Sequence, residues 1–275
     1  IFNRYEKFLK TIKVPLMITL NKNPLMVDIA EKVLYGIEKD KLVLEHLKIL
    51  KEYDEYTHHH SLNVAMLSFF LGFHKCYSVE ELLILTKGAL LHDIGKTKIP
   101  LNILNKPGRL TSDEFSVIQT HSVAGYNILE NLDLEENAKQ IVLYHHTRLD
   151  DSGYPILREN HILNENVQIV SLCDVFDALT GDRVYKPGMS KVSAYRIIHS
   201  EMSGKLNTDL LDCLIDNISI FDVGEITYLN TQEKCKIIAL NTNQINRPIV
   251  QILGGKNDGK TIDLTVDRSV DLIYT

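Results

Sequence analysis

The feature that most constrains this chain is an apolar segment that ends in a histidine and an aspartate. The segment Val79–Leu91 is dense in apolar residues, and His92-Asp93-Ile94-Gly95-Lys96 follows it directly. This pattern predicts a helix that is buried on nearly all sides, and we expect Gly95 to act as its C-terminal stop. An ionised aspartate at such a buried helix end is costly unless a partner compensates its charge. Two interpretations remain open: a capped core helix with an internal hydrogen bond, or a metal ion bound by both residues.

Helical periodicity extends over most of the chain. Apolar residues recur at intervals of three and four from Leu62 to Phe73, and the run after Thr111 has the hydroxyl cap and the acids of a helix start. After about residue 222, short β-rich segments alternate with Asn/Gly clusters. We therefore predict a mainly α fold with a small C-terminal antiparallel β appendage at 223–275.

Composition narrows the functional classes. The formal net charge of −6 argues against duplex nucleic acid as a partner, because that usually requires a basic face. No apolar run approaches the length of a membrane helix and no signal peptide is evident, so we expect a cytoplasmic chain with no membrane span. The four cysteines are widely separated, which predicts reduced thiols.

Other histidines and acids in the chain are candidate ligands of the same site. His145 and His146 are adjacent, so both reach a single metal centre only at a helix end; a solvent-exposed pair is the alternative. Asp174 lies in an apolar stretch, with Asp177 one turn later as a residue that could orient a ligand. His60 and His121 are weak signals individually, because a lone histidine on a helix is more often a satisfied core or surface residue.

Taken together, these residues predict a centre with two divalent metal ions. Histidine and carboxylate ligands without thiolates suit iron, manganese, zinc or nickel, and two ions can clamp a phosphate during in-line displacement. The set contains more ligands than one ion takes: His60, His92, Asp93, His121, His145, His146 and Asp174.

The order of these motifs resembles the HD-GYP family of bacterial phosphodiesterases, which degrade cyclic di-GMP. The match runs from about residue 53 to residue 214. The matching segments are 56–65, 92–96 with 99–100, 105–111, His121, His145-His146 leading into Gly153-Tyr154-Pro155, 174–180 and 182–183.

The resemblance implies an HD-type helical bundle, with the catalytic domain at 51–222. Residues 1–50 are then an N-terminal helical segment, and the start at Ile1 rather than Met suggests a linker from an upstream region. The set above matches the family's metal ligands, with iron the favoured metal. Asp93 and Lys96 match catalytic residues, and Lys96 also matches a residue that contacts the substrate phosphate. The other substrate-binding positions implied are Gly153, Tyr154, Pro155, Arg183 and Lys186.

Departures from the family pattern concern ion number and one loop. Some members carry a glutamate four residues before the first histidine ligand and bind a third iron, whereas this chain has Tyr56 there, which favours two ions. Thr147 replaces the usual glutamate after the histidine pair, and Asp151 replaces the first glycine of the loop. These changes put the rate and the substrate preference in question.

Three functional hypotheses follow. The first is hydrolysis of cyclic di-GMP to linear pGpG or GMP by attack of a metal-bridging hydroxide. The second keeps the enzyme class but changes the substrate to another cyclic dinucleotide such as cyclic GMP-AMP, or to a linear dinucleotide. The third is a low-turnover sensor or a module that docks on GGDEF-domain proteins. A homodimer is also compatible with the family.

Overall fold

The fold is a helical bundle followed by a small sheet. The computed structural model describes residues 23–156, 162–181, 188–218, 220–241, 244 and 246–273. A 3₁₀ helix covers Ile94–Lys98. The α-helices of these ranges are α1 (Pro24–Lys39), α2 (Lys41–Tyr53), α3 (Glu55–His74), α4 (Val79–Leu91), α5 (Leu101–Leu104), α6 (Ser112–Gln119), α7 (His121–Leu129), α8 (Glu136–Tyr144), α9 (Glu165–Thr180), α10 (Lys191–Glu201) and α11 (Thr208–Asn217). The predicted mainly α fold with a small antiparallel β appendage is confirmed.

Helices α3 and α4 form the centre of the bundle. Helix α4 has the predicted bounds, because a capping box between Ser78 and Glu81 fixes its start. Asp54 caps the start of helix α3, because its carboxylate accepts a hydrogen bond from the backbone N–H of Thr57. Both helices are apolar on several faces, with Phe70 among the fully buried side chains. Each helix can therefore pack against more than one neighbour.

The described part of the predicted N-terminal helical segment, 1–50, is not one continuous helix. The structure has two helices there, α1 and α2, which are separated at Asp40. The Asp40 carboxylate accepts a hydrogen bond from Val43 N and also lies 2.7 Å from the ammonium of Lys87. Lys87 reaches Glu135 at 2.9 Å as well. The buried ammonium group of Lys87 thus links the break between α1 and α2 to helix α4. Residues 1–22 of the predicted N-terminal segment lie outside the described residues.

Gly95 has a different role from the predicted one. Helix α4 ends at Leu91, and Gly95 lies in the 3₁₀ helix that follows, so it is not the C-terminal stop. A Cβ atom at Gly95 would lie 1.8 Å from the carbonyl oxygen of His121 and 2.5 Å from the backbone nitrogen of Gly125. The missing side chain therefore allows the backbone after Asp93 to lie against helix α7.

The C-terminal region is one antiparallel sheet with the strand order β4-β3-β2-β1-β5. All five strands lie within the β-rich region predicted after residue 222, and β1 exposes apolar side chains. Cys235, Ile237, Val250 and Ile252 are buried on one face. The strands are β1 (Ile226–Leu229), β2 (Lys234–Ala239), β3 (Ile249–Ile252), β4 (Thr261–Asp263) and β5 (Leu272–Ile273).

No helix in the described part of the chain has the length and apolar character needed to cross a membrane.

The close packing at Gly95 leads to a stability prediction. The substitution Gly95→Ala should lower the free energy of unfolding by about 3 kcal/mol, because the new methyl group meets backbone atoms that cannot move aside. Gly72→Ala is the matched control, since its Cβ would meet the ends of the Leu82 and Leu85 side chains, and alanine favours a helix. Urea unfolding of both variants checks this; equal stability losses would contradict it.

Candidate metal centre

The structure brings all seven predicted metal ligands together. His60 lies on α3, and Asp174 lies on α9. His92 and Asp93 follow α4, His121 begins α7, and His145 and His146 follow α8. The helix end expected at the histidine pair is therefore present. All of these side chains are buried except His146, whose side chain is 18% exposed.

Hydrogen bonds to the backbone orient three of the histidines. The Nδ1 atoms of His92 and His121 lie 2.7 Å from the carbonyl oxygens of Ala89 and Ile118, and Nδ1 of His145 lies 3.0 Å from that of Val142. A carbonyl oxygen only accepts hydrogen bonds, so each Nδ1 carries the proton and donates. With Nδ1 protonated, the Nε2 lone pairs of His121 and His145 are directed into the site.

These lone pairs face other acceptors. Nε2 of His121 lies 3.1 Å from Nε2 of His145 and 3.3 Å from Oδ1 of Asp93. Second protons on the rings would relieve the conflict, but burial lowers the pKa of His121 to about 4 and moves the pKa of His145 well below its usual range. Neutral rings around a carboxylate therefore form a set of donors that suits a cation.

Asp93 is the central carboxylate. Its Oδ2 lies 3.3 Å from Nε2 of His92 and 2.6 Å from the ammonium of Lys96. Burial alone would raise the pKa of Asp93, but the positive charge of Lys96 holds it well below its usual range. Asp93 is consequently ionised, and its two oxygens face different histidines.

His60 differs from the other histidines because both ring nitrogens contact carboxylates. Nδ1 lies 2.7 Å from Oδ2 of Asp177, and Nε2 lies 2.9 Å from Oδ1 of Asp174. Burial would lower the pKa of His60, but these two hydrogen-bonded acids raise it to about 10. Asp177 occupies the orienting position predicted for it, since it fixes the ring from the side opposite to Asp174.

The donor atoms fit divalent metal ions. Oδ1 of Asp93 and Nε2 of His92 are buried without a hydrogen-bond partner among the described residues, and leaving such atoms unpaired is costly. Three overlapping groups have ligand atoms within 4.8 Å of one another. The groups are His121, His145 and His146; His60, His92 and Asp174; and His92, Asp93 and His145.

The loop that contains Gly153, Tyr154 and Pro155 folds back over the histidine pair. Thr147 donates from Oγ1 to the carbonyl of Pro155 at 2.7 Å, and the backbone nitrogen of Tyr154 donates to the carbonyl of His146 at 3.3 Å. A Cβ atom at Gly153 would lie 2.1 Å from that same carbonyl. The ring of Tyr154 lies 4.7 Å from the ring of His146, between centroids, so the predicted substrate loop is next to the histidine cluster.

The two departures in this loop are explained by its geometry. Asp151 has a φ of 61°, the left-handed conformation that glycine favours and that aspartate tolerates better than most residues. Thr147 is buried and closes the loop through its bond to Pro155. The loop therefore forms without the usual glycine and glutamate.

Two residues that support the histidine pair were not predicted. The carbonyl of His145 accepts hydrogen bonds from Oγ of Ser171 at 2.6 Å and from Nη1 of Arg148 at 3.0 Å. Ser171 comes from α9, one helical turn before Asp174. The residue types serine and arginine do not by themselves indicate this role. The hydrogen bond from Ser171 forms only when α9 packs against the end of α8.

The remaining predicted residues divide into two sets. Lys96 is at the site through its contact with Asp93. Burial opposes its charge, but Asp93, and to a smaller extent Asp174 and Tyr56, raise the pKa of Lys96. Arg183 and Lys186 lie outside the described residues.

Comparisons with known proteins agree with this geometry. Residues 78–209 match the family model described as HD domain. The chain is 30% identical over 230 residues to the cyclic di-GMP phosphodiesterase PA4108 of Pseudomonas aeruginosa, covering 82% of this chain and 54% of the relative. It is 34% identical over 164 residues to 3′3′-cGAMP-specific phosphodiesterase 1 of Vibrio cholerae, covering 59% of this chain and 38% of that one. The chain thus spans about half or less of these relatives' length.

A solved structure shows the same fold. The HDG"Y"P protein Bd1817 from Bdellovibrio bacteriovorus superposes with a TM-score of 0.50 at 24% identity, covering 57% of this chain and 51% of that protein. The bundle around the histidine cluster is therefore an HD-type bundle.

The first site prediction concerns metal content. His92→Ala should lose most of its bound divalent metal, because Nε2 of His92 belongs to two of the three ligand groups. His74→Ala is the control, since His74 is a half-buried histidine at the end of the same helix as His60 and contacts Phe70 and Phe73 instead. Elemental analysis of anaerobically purified proteins measures the outcome; equal metal content in both variants would refute the site.

The second site prediction concerns the protons that the chain releases when it binds metal. With a pKa of about 10, His60 is protonated in the metal-free chain up to that pH, and a metal ion must displace the proton on Nε2. We expect release of about one proton at pH 8, and metal affinity that rises about tenfold per pH unit below pH 10. Titration calorimetry in buffers of different ionisation enthalpy measures this release. Asp177→Asn should reduce it by lowering the pKa of His60; no release by the unaltered chain would contradict the prediction.

Proposed function

Because this chain belongs to the HD-GYP family of HD domains, we propose that it is a metal-dependent phosphodiesterase that hydrolyses cyclic di-GMP to linear pGpG, GMP or both. The observation that carries the proposal is the convergence of histidine Nε2 atoms on the ionised carboxylate of Asp93. A buried anion surrounded by lone pairs is a donor set for cations, and divalent cations bind phosphates.

We assign the metal ions to the seven clustered residues. Asp93 and Asp174 would be shared, since the two oxygens of each carboxylate face different histidines: Asp174 lies 2.9 Å from His60 and 3.6 Å from His146. When bound, two divalent ions supply an activated water and neutralise phosphate charge. Iron is our preferred metal, because the family resemblance favours it. Histidine and carboxylate donors without thiolate suit iron, and they also suit manganese, zinc and nickel.

The protein groups have separate roles in the proposed reaction. Lys96 holds Asp93 ionised and offers a cation to a phosphate oxygen, where it offsets the charge that develops during displacement. Gly153, Tyr154 and Pro155 form a wall of the substrate site beside His146. Arg183 and Lys186 stay predicted phosphate contacts.

A second candidate substrate is cyclic GMP-AMP. The relative from Vibrio cholerae carries that specificity in its name, and Thr147 and Asp151 alter the loop nearest the substrate site. Guanine and adenine differ in the groups on their edges, so an altered loop can change the substrate preference without changing the hydrolysis reaction.

Domain roles and partners are further parts of the proposal. We assign catalysis to residues 51–222 and propose residues 1–50 and 223–275 as accessory regions. Docking on GGDEF domains, self-association and a cytoplasmic location stay predictions.

Parallel turnover measurements test the function. Anaerobically purified chain, with its metal content measured on the same sample, is incubated with cyclic di-GMP, cyclic GMP-AMP and linear pGpG. We expect hydrolysis of a cyclic dinucleotide, with the faster one defining the substrate. If the metal-loaded chain leaves all three intact while an active relative cleaves its own substrate in the same assay, the proposal is wrong.

The role of Lys96 is tested by comparing two lysines of one 3₁₀ helix. Lys96→Met should lower kcat about 100-fold, because the phosphate charge loses its cation, while metal content is retained. Lys98→Met is the control, since Lys98 is exposed and has no part in the cluster. Steady-state kinetics and elemental analysis measure both effects, and similar kcat values for the two variants would exclude Lys96 from the reaction.

A further inference from the structure

Phe115 is an aromatic side chain exposed at the rim of the histidine cluster. It is 47% exposed, and its ring centroid lies 6.4 Å from that of Tyr154 with the two planes at 90°. Tyr154 in turn contacts the rings of His146 and His121, at 4.7 and 6.0 Å. An aromatic row therefore leads from the metal ligands to an exposed ring on α6.

Helix α6 does not need Phe115 for its stability. None of its residues is buried. A capping box between Thr111 and Glu114 fixes its first turn, and Lys106 holds Glu114 at 2.6 Å. A phenylalanine left half exposed forgoes part of the stabilisation that full burial contributes. The ring is thus presented to solvent by a helix that is held by polar contacts.

We infer that Phe115 stacks on a purine base of the cyclic dinucleotide, and this inference rests on the proposed function. Two perpendicular rings make a corner, in which a flat base lies on the face of Phe115 with its edge toward Tyr154. The phosphate of the same nucleotide then lies on the histidine cluster beneath Tyr154. Stacking is tolerant of base identity, because every base has a π face, so Phe115 supplies affinity for guanine and adenine alike.

The matched pair Phe115→Leu and Tyr35→Leu tests the inference. Leucine keeps an apolar side chain but removes the flat ring, and Tyr35 is an exposed aromatic residue on α1 beside Lys39. In Phe115→Leu, KM for cyclic di-GMP should rise about tenfold with kcat within twofold. Phe115→Trp should keep KM near the unaltered value, and Tyr35→Leu should change neither constant. The Phe115→Leu substitution should weaken the binding of cyclic di-UMP less than the binding of cyclic di-GMP, since pyrimidines offer less area for stacking.

A binding measurement separates this inference from the proposed reaction. A cyclic dinucleotide with 2-aminopurine in place of one guanine is mixed with the metal-loaded chain in a stopped-flow instrument, where stacking on Phe115 should quench its fluorescence. If the chain quenches the probe but hydrolyses nothing, the proposed function fails and the stacking role stands. Unchanged KM and quenching in Phe115→Leu would overturn the inference. A loss of self-association in that variant, seen by sedimentation without any effect on the probe, would also overturn it and identify a contact between copies.

Discussion

The buried, ionised carboxylate of Asp93 is the interaction on which the site depends. It lies at the end of a helix buried almost all round, where an unpaired charge would be prohibitive. Lys96 compensates part of that charge, while Nε2 of His92 and Nε2 of His121 lie 3.3 Å from its two oxygens. A cation bound among these atoms would offset the rest of the charge, so metal binding would stabilise the folded bundle further.

The pattern of apolar, acidic and histidine residues along the chain predicts much of the fold and of the candidate site. The bounds of α4 follow from the apolar run Val79–Leu91, and the pairs His92-Asp93 and His145-His146 are visible beside apolar segments, whereas His60 and His121 are weak signals individually. The role of Gly95 was not predictable, because it depends on the backbone of α7, which meets the 3₁₀ helix only in the folded chain. The break at Asp40 was missed for a similar reason: Lys87, distant in sequence, stabilises the acid that caps α2.

The supporting contacts show where a single sequence is least informative. Ser171 and Arg148 act on a backbone carbonyl, and neither residue type signals that purpose. Phe115 reads as an ordinary apolar position of an amphipathic helix, and only its exposure beside Tyr154 distinguishes it. Tertiary packing thus decides which polar and aromatic residues belong to a site, whereas residue type decides which could be ligands.

The loop over the histidine pair has a consequence for divergence within such a fold. Its closure relies on the backbone of His146 and on Gly153, where any side chain would collide with that backbone. Thr147 ties the loop to the carbonyl of Pro155, and Asp151 adopts the left-handed conformation with φ 61°. Side chains on this loop can therefore differ in size and polarity while its path over the histidine cluster stays set by the backbone of His146 and by Gly153.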